Sequence, residues 1–321
     1  MNICVVGCGR WGTFIAWYLS VKKGLNVTLY GRSESANMQK LISERKNDLI
    51  ELPDSVKLSV SQSCFFDSDI IVISINSQGL SSFLQEISPL ELKSKIFVLC
   101  MKGLDISTCK RLSEIVKDET DETCKTAVWL GPGHVQDFYA GIPNCMVIDS
   151  EDAEIKKLLI NSFSSELIRF YYGNDLIGNE IGAAAKNVIG IAAGMLDGLG
   201  LSSLKGALMS RGTREVSRLI GKMGGDVLSA YGLCHLGDYE ATVFSPFSHN
   251  RAFGECITRK EKFDKLAEGF YTVRAIVKLA EKFAVDMPIC QTVYDIIYNG
   301  KDPGTALNDL FGRSIKSEFY E

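Results

Sequence analysis

Lys186 is the one basic residue in the stretch Gly178 to Leu199, GNEIGAAAKNVIGIAAGMLDGL, where it stands among small and apolar side chains. A positioned ammonium can stabilise negative charge on oxygen and deliver a proton to it, so a buried amine in this setting is a candidate for chemistry. Two more residues have types that suit the same chemistry: Lys102 directly follows an apolar run, and Asp238 follows a glycine in GLCHLGDYEAT, Gly232 to Thr242. A second lysine close to the first would lower its pKa by like-charge repulsion, with the aspartate offsetting part of the excess charge. Asn250 and Arg251 sit in SHNRAFG, Ser248 to Gly254, where another helix could begin, and a helix start is a ready anion site. Each residue alone has a plain structural alternative: a lysine that snorkels to water, a surface arginine, an aspartate that caps a helix. Their presence together is what favours chemistry.

The elements that must hold these groups follow from periodicity. Ile177, Ile181, Ala184, Ala185, Val188 and Ala192 recur at three- and four-residue steps, so the Lys186 stretch is a helix packed on more than one side. Small residues at Gly182, Ala183, Gly190 and Gly194 would let other backbones come close to it. At the N-terminus, the apolar run Asn2 to Val6 leads into Gly7-Cys8-Gly9-Arg10-Trp11-Gly12 and then the amphipathic stretch Thr13 to Lys23. GxGxxG between a strand and a helix is a dinucleotide fingerprint: Gly7 for the turn, Gly9 for approach of the pyrophosphate, Gly12 for helix packing, and the helix N-terminus for the phosphates. The second strand, Asn26 to Tyr30, ends in Gly31-Arg32-Ser33, where an NAD site usually places an acid for the ribose 2′-hydroxyl. Arg32 suits a 2′-phosphate, which favours NADP, and Glu34 keeps NAD open.

Further strands are expected at Val56 to Val60, Ile70 to Ile75, Ile96 to Cys100, Ala127 to Leu130, Cys145 to Ile148 and Leu167 to Tyr172, with helical segments between most of them. That alternation predicts an α/β fold, a Rossmann-type doubly wound, mostly parallel sheet over residues 1–175 that binds NAD(P). After Tyr172 helical periodicity takes over, so residues 176–321 are expected to form an all-helical domain carrying substrate and catalytic groups. Ligands bind beyond the carboxyl ends of such strands, which singles out Asn76-Ser77-Gln78, Met101-Lys102-Gly103 and Gly131-Pro132-Gly133-His134.

Composition sets the bounds. A chain of 321 residues, 46% hydrophobic and 23% charged, has room for two domains, and a net charge of −4 without charge blocks argues against nucleic acid and against a membrane-binding face. A strand beginning at Asn2 leaves no place for a signal peptide before it, and no apolar run would span a bilayer, so the expected location is the cytoplasm without stable membrane insertion. Ten cysteines lie scattered without a CxxC pair, so no metal site is expected and the thiols should be reduced.

The chain resembles the bacterial-type NAD(P)-dependent glycerol-3-phosphate dehydrogenase family over nearly its whole length. The resemblance rests on GCGRWGT (Gly7 to Thr13), Ser77-Gln78, Lys102-Gly103-Leu104, Gly131-Pro132 and NEIGAAAKNVIGIAAGMLDGL (Asn179 to Leu199). It continues through Ser210-Arg211-Gly212, Leu236-Gly237-Asp238, Asn250-Arg251, Glu268-Gly269 and Val285-Asp286-Met287-Pro288-Ile289. It implies reversible reduction of dihydroxyacetone phosphate to sn-glycerol 3-phosphate, a small-molecule phosphate substrate, at the entry to glycerophospholipid synthesis, by a homodimer. Carried over residue by residue, it makes Lys186 the general acid/base, Lys102 the second lysine and Asp238 their acidic partner. Gly131, Gly133, Asn187, Thr242, Ser248, His249 and Asn250 join Lys102 and Asp238 as substrate positions. Gly7, Gly9, Arg10, Trp11, Gly12, Arg32, Lys102, Val135, His249, Leu266 and Glu268 match or adjoin cofactor positions. Three residues depart from the family pattern: Gly133 replaces a hydroxyl residue that would contact substrate, His249 an arginine, and Asn76 a proline. The alternative reading is a two-domain NADP-dependent 2-oxo-acid reductase of the ketopantoate-reductase kind, in which a helix lysine also serves as acid.

Overall fold

The computed structural model describes residues 1–315, 317 and 318. Its chain divides into two compact units, one of Met1–Met101 and Leu112–Leu176, the other of Lys102–Arg111 and Ile177–Glu321. The second unit thus takes in one short segment, Lys102–Arg111, that a single cut at 175/176 assigns to the first.

Unit one is an eight-stranded sheet: β1 (Asn2–Val6), β2 (Asn26–Tyr30), β3 (Val56–Ser59), β4 (Ile70–Ile73), β5 (Ile96–Leu99), β6 (Lys125–Leu130), β7 (Asn144–Ser150) and β8 (Ile168–Tyr172). The spatial order is β3-β2-β1-β4-β5-β6-β7-β8. All neighbours are parallel except β6 and β7, which run antiparallel. The central strands are uninterrupted apolar runs because both faces are covered, as in Ile70–Ile73 where all four side chains are buried. The edge strand β8 instead leaves Arg169, Tyr171 and Tyr172 exposed. Helices α1 (Arg10–Trp17), α2 (Ala36–Glu44), α3 (Leu80–Ile87), α4 (Leu112–Glu119), α5 (Val135–Tyr139) and α6 (Ala153–Phe163) complete the unit. Chain order reverses between β1 and β4, the switch point beyond whose carboxyl ends a doubly wound sheet binds its ligand.

Unit two consists of α7 (Leu176–Gly198), α8 (Lys205–Lys222), α9 (His249–Arg259), α10 (Glu268–Lys282), α11 (Pro288–Tyr298) and α12 (Pro303–Phe311). The unit is built around α7, which is buried on every side from Gly178 to Leu196. Its glycines make that possible. A Cβ on Gly194 would lie 1.8 Å from the Arg251 carbonyl oxygen, and one on Gly254 of α9 would lie 2.0 Å from the Ile191 carbonyl oxygen, so α7 and α9 touch backbone to backbone. Gly269, at the start of α10, approaches the Asn187 carbonyl in the same way. Among the described residues, no helix is long and apolar enough to cross a membrane.

Candidate active site

In unit one the glycine loop after β1 has the form a dinucleotide requires. Gly7 adopts φ +108°, and a Cβ there would collide with the Ser74 carbonyl oxygen at 2.2 Å, so only glycine lets the chain turn against the end of β4. A Cβ on Gly12 would lie 1.9 Å from the Gly7 carbonyl oxygen, which is the close packing of α1 on the turn. Gly9 differs: a Cβ there would meet nothing within 4 Å. The protein's own packing therefore does not demand glycine at position 9, whereas a pyrophosphate drawn against the backbone would. Gly9 is also the N-cap of α1 and brings no capping side chain, so no N-cap side chain competes with an anion for the helix's first N–H groups and positive dipole end. These residues fit a bound NAD(P).

The other unit-one positions are less uniform. Arg10 is exposed and Trp11 half-buried, the latter packed against Phe14 and Phe138. Arg32 lies just past β2, its guanidinium 2.7 Å from Glu86 Oε2 and about half exposed. Gly133 has φ +150°, and a Cβ would drive into the Phe138 ring at 2.2 Å. The lost hydroxyl at this position is thus tied to a local packing that excludes any side chain. Val135 is buried in the unit's apolar core, at the first position of α5.

Unit two brings Lys102, Lys186 and Asp238 together. Asp238, its side chain 1% exposed, offers one oxygen, Oδ2, to Lys102 Nζ at 2.6 Å and to Lys186 Nζ at 2.9 Å. Lys186 Nζ also donates to Thr242 Oγ1 at 2.7 Å, and that hydroxyl donates to the Asp238 carbonyl oxygen at 2.7 Å. Thr242 lies on a widened single turn, Glu240–Phe244, of the kind that often marks functional sites. Burial pushes the Lys186 ammonium down to about 8, Asp238 opposes that shift, and Lys102 adds to it. Desolvation, more than the second lysine, is therefore what brings Lys186 towards neutral pH.

A second layer fixes this cluster. Asn187 Nδ2 donates to the Lys102 carbonyl at 2.8 Å, Asn250 Nδ2 to Asn187 Oδ1 at 3.0 Å, and Gly269 N–H to Asn250 Oδ1 at 2.9 Å. Asn250 thus links α9, α7 and α10 and holds Asn187, the residue next to Lys186, in place. The segment carrying Lys102 is also fastened to α7 by Arg111, 2.9 Å from Glu180 in a buried pair. Nothing in the sequence of either stretch marks Arg111 and Glu180 as partners. Glu268 opens α10, close enough for its charge to act on Lys186.

The start of α9 is arranged differently from what its sequence suggests. Ser248 is the N-cap and accepts from Arg251 N–H. The Arg251 side chain reaches Asp197 Oδ2 at 2.7 Å and Glu255 Oε2 at 3.2 Å, and Lys205 shares the Asp197 oxygen at 2.6 Å. Arg251 is therefore committed to a structural ion network and not to an anion at the helix start. His249 Nδ1 donates to the Leu266 carbonyl at 3.1 Å, joining two of the positions expected at the cofactor.

A dinucleotide loop at a Rossmann switch point and a desolvated lysine held by a carboxylate define a nicotinamide-dependent dehydrogenase. Residues 2–156 match the family model described as NAD-dependent glycerol-3-phosphate dehydrogenase N-terminus, and residues 175–308 match that of its C-terminus. Relatives named glycerol-3-phosphate dehydrogenase (NAD(P)+) from Pelodictyon phaeoclathratiforme and Agrobacterium fabrum are each 35% identical, over 99% of this chain and 99% of theirs. The crystal structure of glycerol-3-phosphate dehydrogenase from Coxiella burnetii superposes with a TM-score of 0.89 at 29% identity, covering 97% of this chain and 99% of that one. The chain belongs to the NAD-dependent glycerol-3-phosphate dehydrogenase family. A ketopantoate reductase from Ralstonia eutropha shares the fold at a TM-score of 0.63 and 12% identity, which carries no more than the fold.

Proposed function

We propose that this chain reduces dihydroxyacetone phosphate to sn-glycerol 3-phosphate, reversibly, with Lys186 as the general acid. The observation that carries the reading is the buried Asp238 carboxylate with two lysine ammoniums on one oxygen. Gly7, Gly9, Gly12 and the start of α1 would hold the pyrophosphate, with Arg10 and Trp11 beside it; Leu266, Glu268 and His249 are proposed to complete the cofactor contacts. When bound, the dihydronicotinamide supplies the hydride. As the substrate ketone becomes an alkoxide, Lys186 Nζ stabilises the growing charge and donates its proton to that oxygen, while Lys102 adds a second positive charge. Asp238 holds both amines in place and keeps Lys186 protonated despite its burial. In the reverse direction the neutral Lys186 amine takes the hydroxyl proton.

Ser248, His249 and the start of α9, with Gly131, are proposed to receive the phosphate end of the substrate. Arg32 is proposed to select NADP by leaving Glu86 for the 2′-phosphate, and its exposure makes that exchange inexpensive. All ten cysteines are free thiols, which supports a reducing cytoplasmic setting. A homodimer is proposed on the family resemblance alone, and sedimentation tests it. The product would enter glycerophospholipid synthesis.

The test is oxidation of NADPH and NADH on addition of dihydroxyacetone phosphate, with ketopantoate as the contrast. Turnover with the phosphate ester and none with ketopantoate supports the reading; the reverse contradicts it.

A further inference from the structure

His235 is fully buried and belongs to none of the groups assigned above to substrate or cofactor. Its Nδ1 lies 2.8 Å from the Gly182 carbonyl oxygen and its Nε2 2.7 Å from the Tyr239 hydroxyl. The carbonyl only accepts, so Nδ1 carries the proton and donates, and the neutral ring accepts at Nε2 from the Tyr239 O–H. The Tyr239 oxygen accepts in turn from the Thr213 hydroxyl at 3.4 Å. Every donor in this chain of bonds has an acceptor. Burial holds the ring neutral by pushing its pKa down to about 4, and the nearby Lys186 charge acts in the same direction.

The two ends of the relay are the two backbones that carry the acid/base pair. Gly182 is one helical turn before Lys186, at the position whose carbonyl receives the Lys186 N–H in α7. A Cβ on Gly182 would stand 3.0 Å from the His235 Cβ, so the glycine is what admits the imidazole to this carbonyl. At the other end Tyr239 directly follows Asp238, and the Asp238 N–H donates to the His235 carbonyl at 3.0 Å. His235 therefore grips the Lys186 turn with its side chain and the Asp238 turn with its backbone.

We propose that His235, with Tyr239 behind it, is a positioning residue that sets the contact between Lys186 and Asp238 and so the geometry of proton delivery. This rests on Lys186 being the acid. The experiment is a single turnover of bound NAD(P)H with dihydroxyacetone phosphate, using deuterated cofactor to mark the chemical step and expressing rates per bound cofactor so that unfolded protein does not count. His235→Leu is expected to slow the isotope-sensitive step about ten- to a hundredfold, the cost of a small misplacement of reacting groups. His235→Gln, whose amide can donate to Gly182 and accept from Tyr239, should recover most of the rate, and Tyr239→Phe should lose severalfold. An isotope-sensitive rate within about twofold of wild type in His235→Leu overturns the proposal, being far smaller than misplacement predicts. If His235→Leu does not fold, an unchanged rate in Tyr239→Phe does so. Lys186→Met in the same assay separates the two readings: a dead Lys186→Met beside an unaffected His235→Leu removes only the positioning role, whereas an active Lys186→Met removes the acid itself.

Discussion

Lys186 Nζ lies 2.9 Å from Asp238 Oδ2, and neither side chain is more than 7% exposed. Such a pair is a compromise. Desolvation favours the neutral amine and the carboxylate favours the charged one, and the balance leaves the ammonium at about 8, against an ordinary value of 10.5. A general acid, the role proposed for Lys186, is most useful when its pKa is near the working pH, and desolvation brings the amine towards that range while this contact limits how far it falls.

The first expected outcome is a pH profile with opposite signs in the two directions. Reduction needs the Lys186 ammonium, so its kcat should fall as pH rises through about 8. Oxidation needs the neutral amine, so its kcat should rise through the same pH. Steady-state rates in both directions across that range check this, and parallel profiles would contradict it.

Asp238→Asn removes the group that raises the Lys186 pKa most. The alkaline limb of the reduction should then move to lower pH, because the two ammoniums lose their shared counter-charge and the buried one gives up its proton sooner. A limb that stays in place would mean that Asp238 does not act on Lys186 through charge.

Arg32→Ala should weaken NADPH far more than NADH, since only NADPH has a 2′-phosphate for a charge-assisted hydrogen bond worth about 1.5–3 kcal/mol, roughly ten- to a hundredfold. Dissociation constants from cofactor titration decide it. Equal losses for both cofactors would assign Arg32 to its surface pair with Glu86 instead.

Much of this was legible in the sequence, and the boundary is physical. All eight strands lie within two residues of the runs that local pattern reveals, and Lys186 stands out because its neighbours are small and apolar. Gly194, one of the glycines that let α9 approach α7, was equally visible, whereas Gly254 and Gly269 on the partner helices carried no such signal. What local pattern does not carry is pairing across distance. Arg251 at a helix start suggests an anion site, yet Asp197, 54 residues away, takes its guanidinium. The stretch containing His235 was in view without a role for the histidine, whose partner Gly182 lies 53 residues away. Lys102 follows β5 in sequence but belongs to unit two, since Asn187 and the Arg111–Glu180 pair hold its segment to α7.

A stability prediction concerns Glu215, which is buried and accepts from the N–H groups of Ile289 and Cys290, both at 2.9 Å, at the start of α11. Burial is the largest influence and pushes its carboxyl up to about 7, from 4.5. The folded state therefore binds the proton more tightly than the unfolded one. That contribution is fully present below about pH 4.5 and is lost as pH rises through about 7, a change on the order of 3 kcal/mol. Urea unfolding at about pH 5 and about pH 8 should show a smaller decline in Glu215→Gln than in wild type. An identical decline in both proteins would contradict a titrating Glu215.

The central claim is that Lys186 donates the proton, and Lys186→Met tests it most directly. The substitution keeps the length and apolar stem of a side chain on a buried helix and removes only the ammonium. With NAD(P)H binding measured alongside, cofactor affinity should stay near wild type while kcat for dihydroxyacetone phosphate reduction falls by about 10²-fold or more, the usual contribution of a general acid. A variant that keeps more than about a tenth of the wild-type kcat would contradict the assignment of Lys186 as the acid.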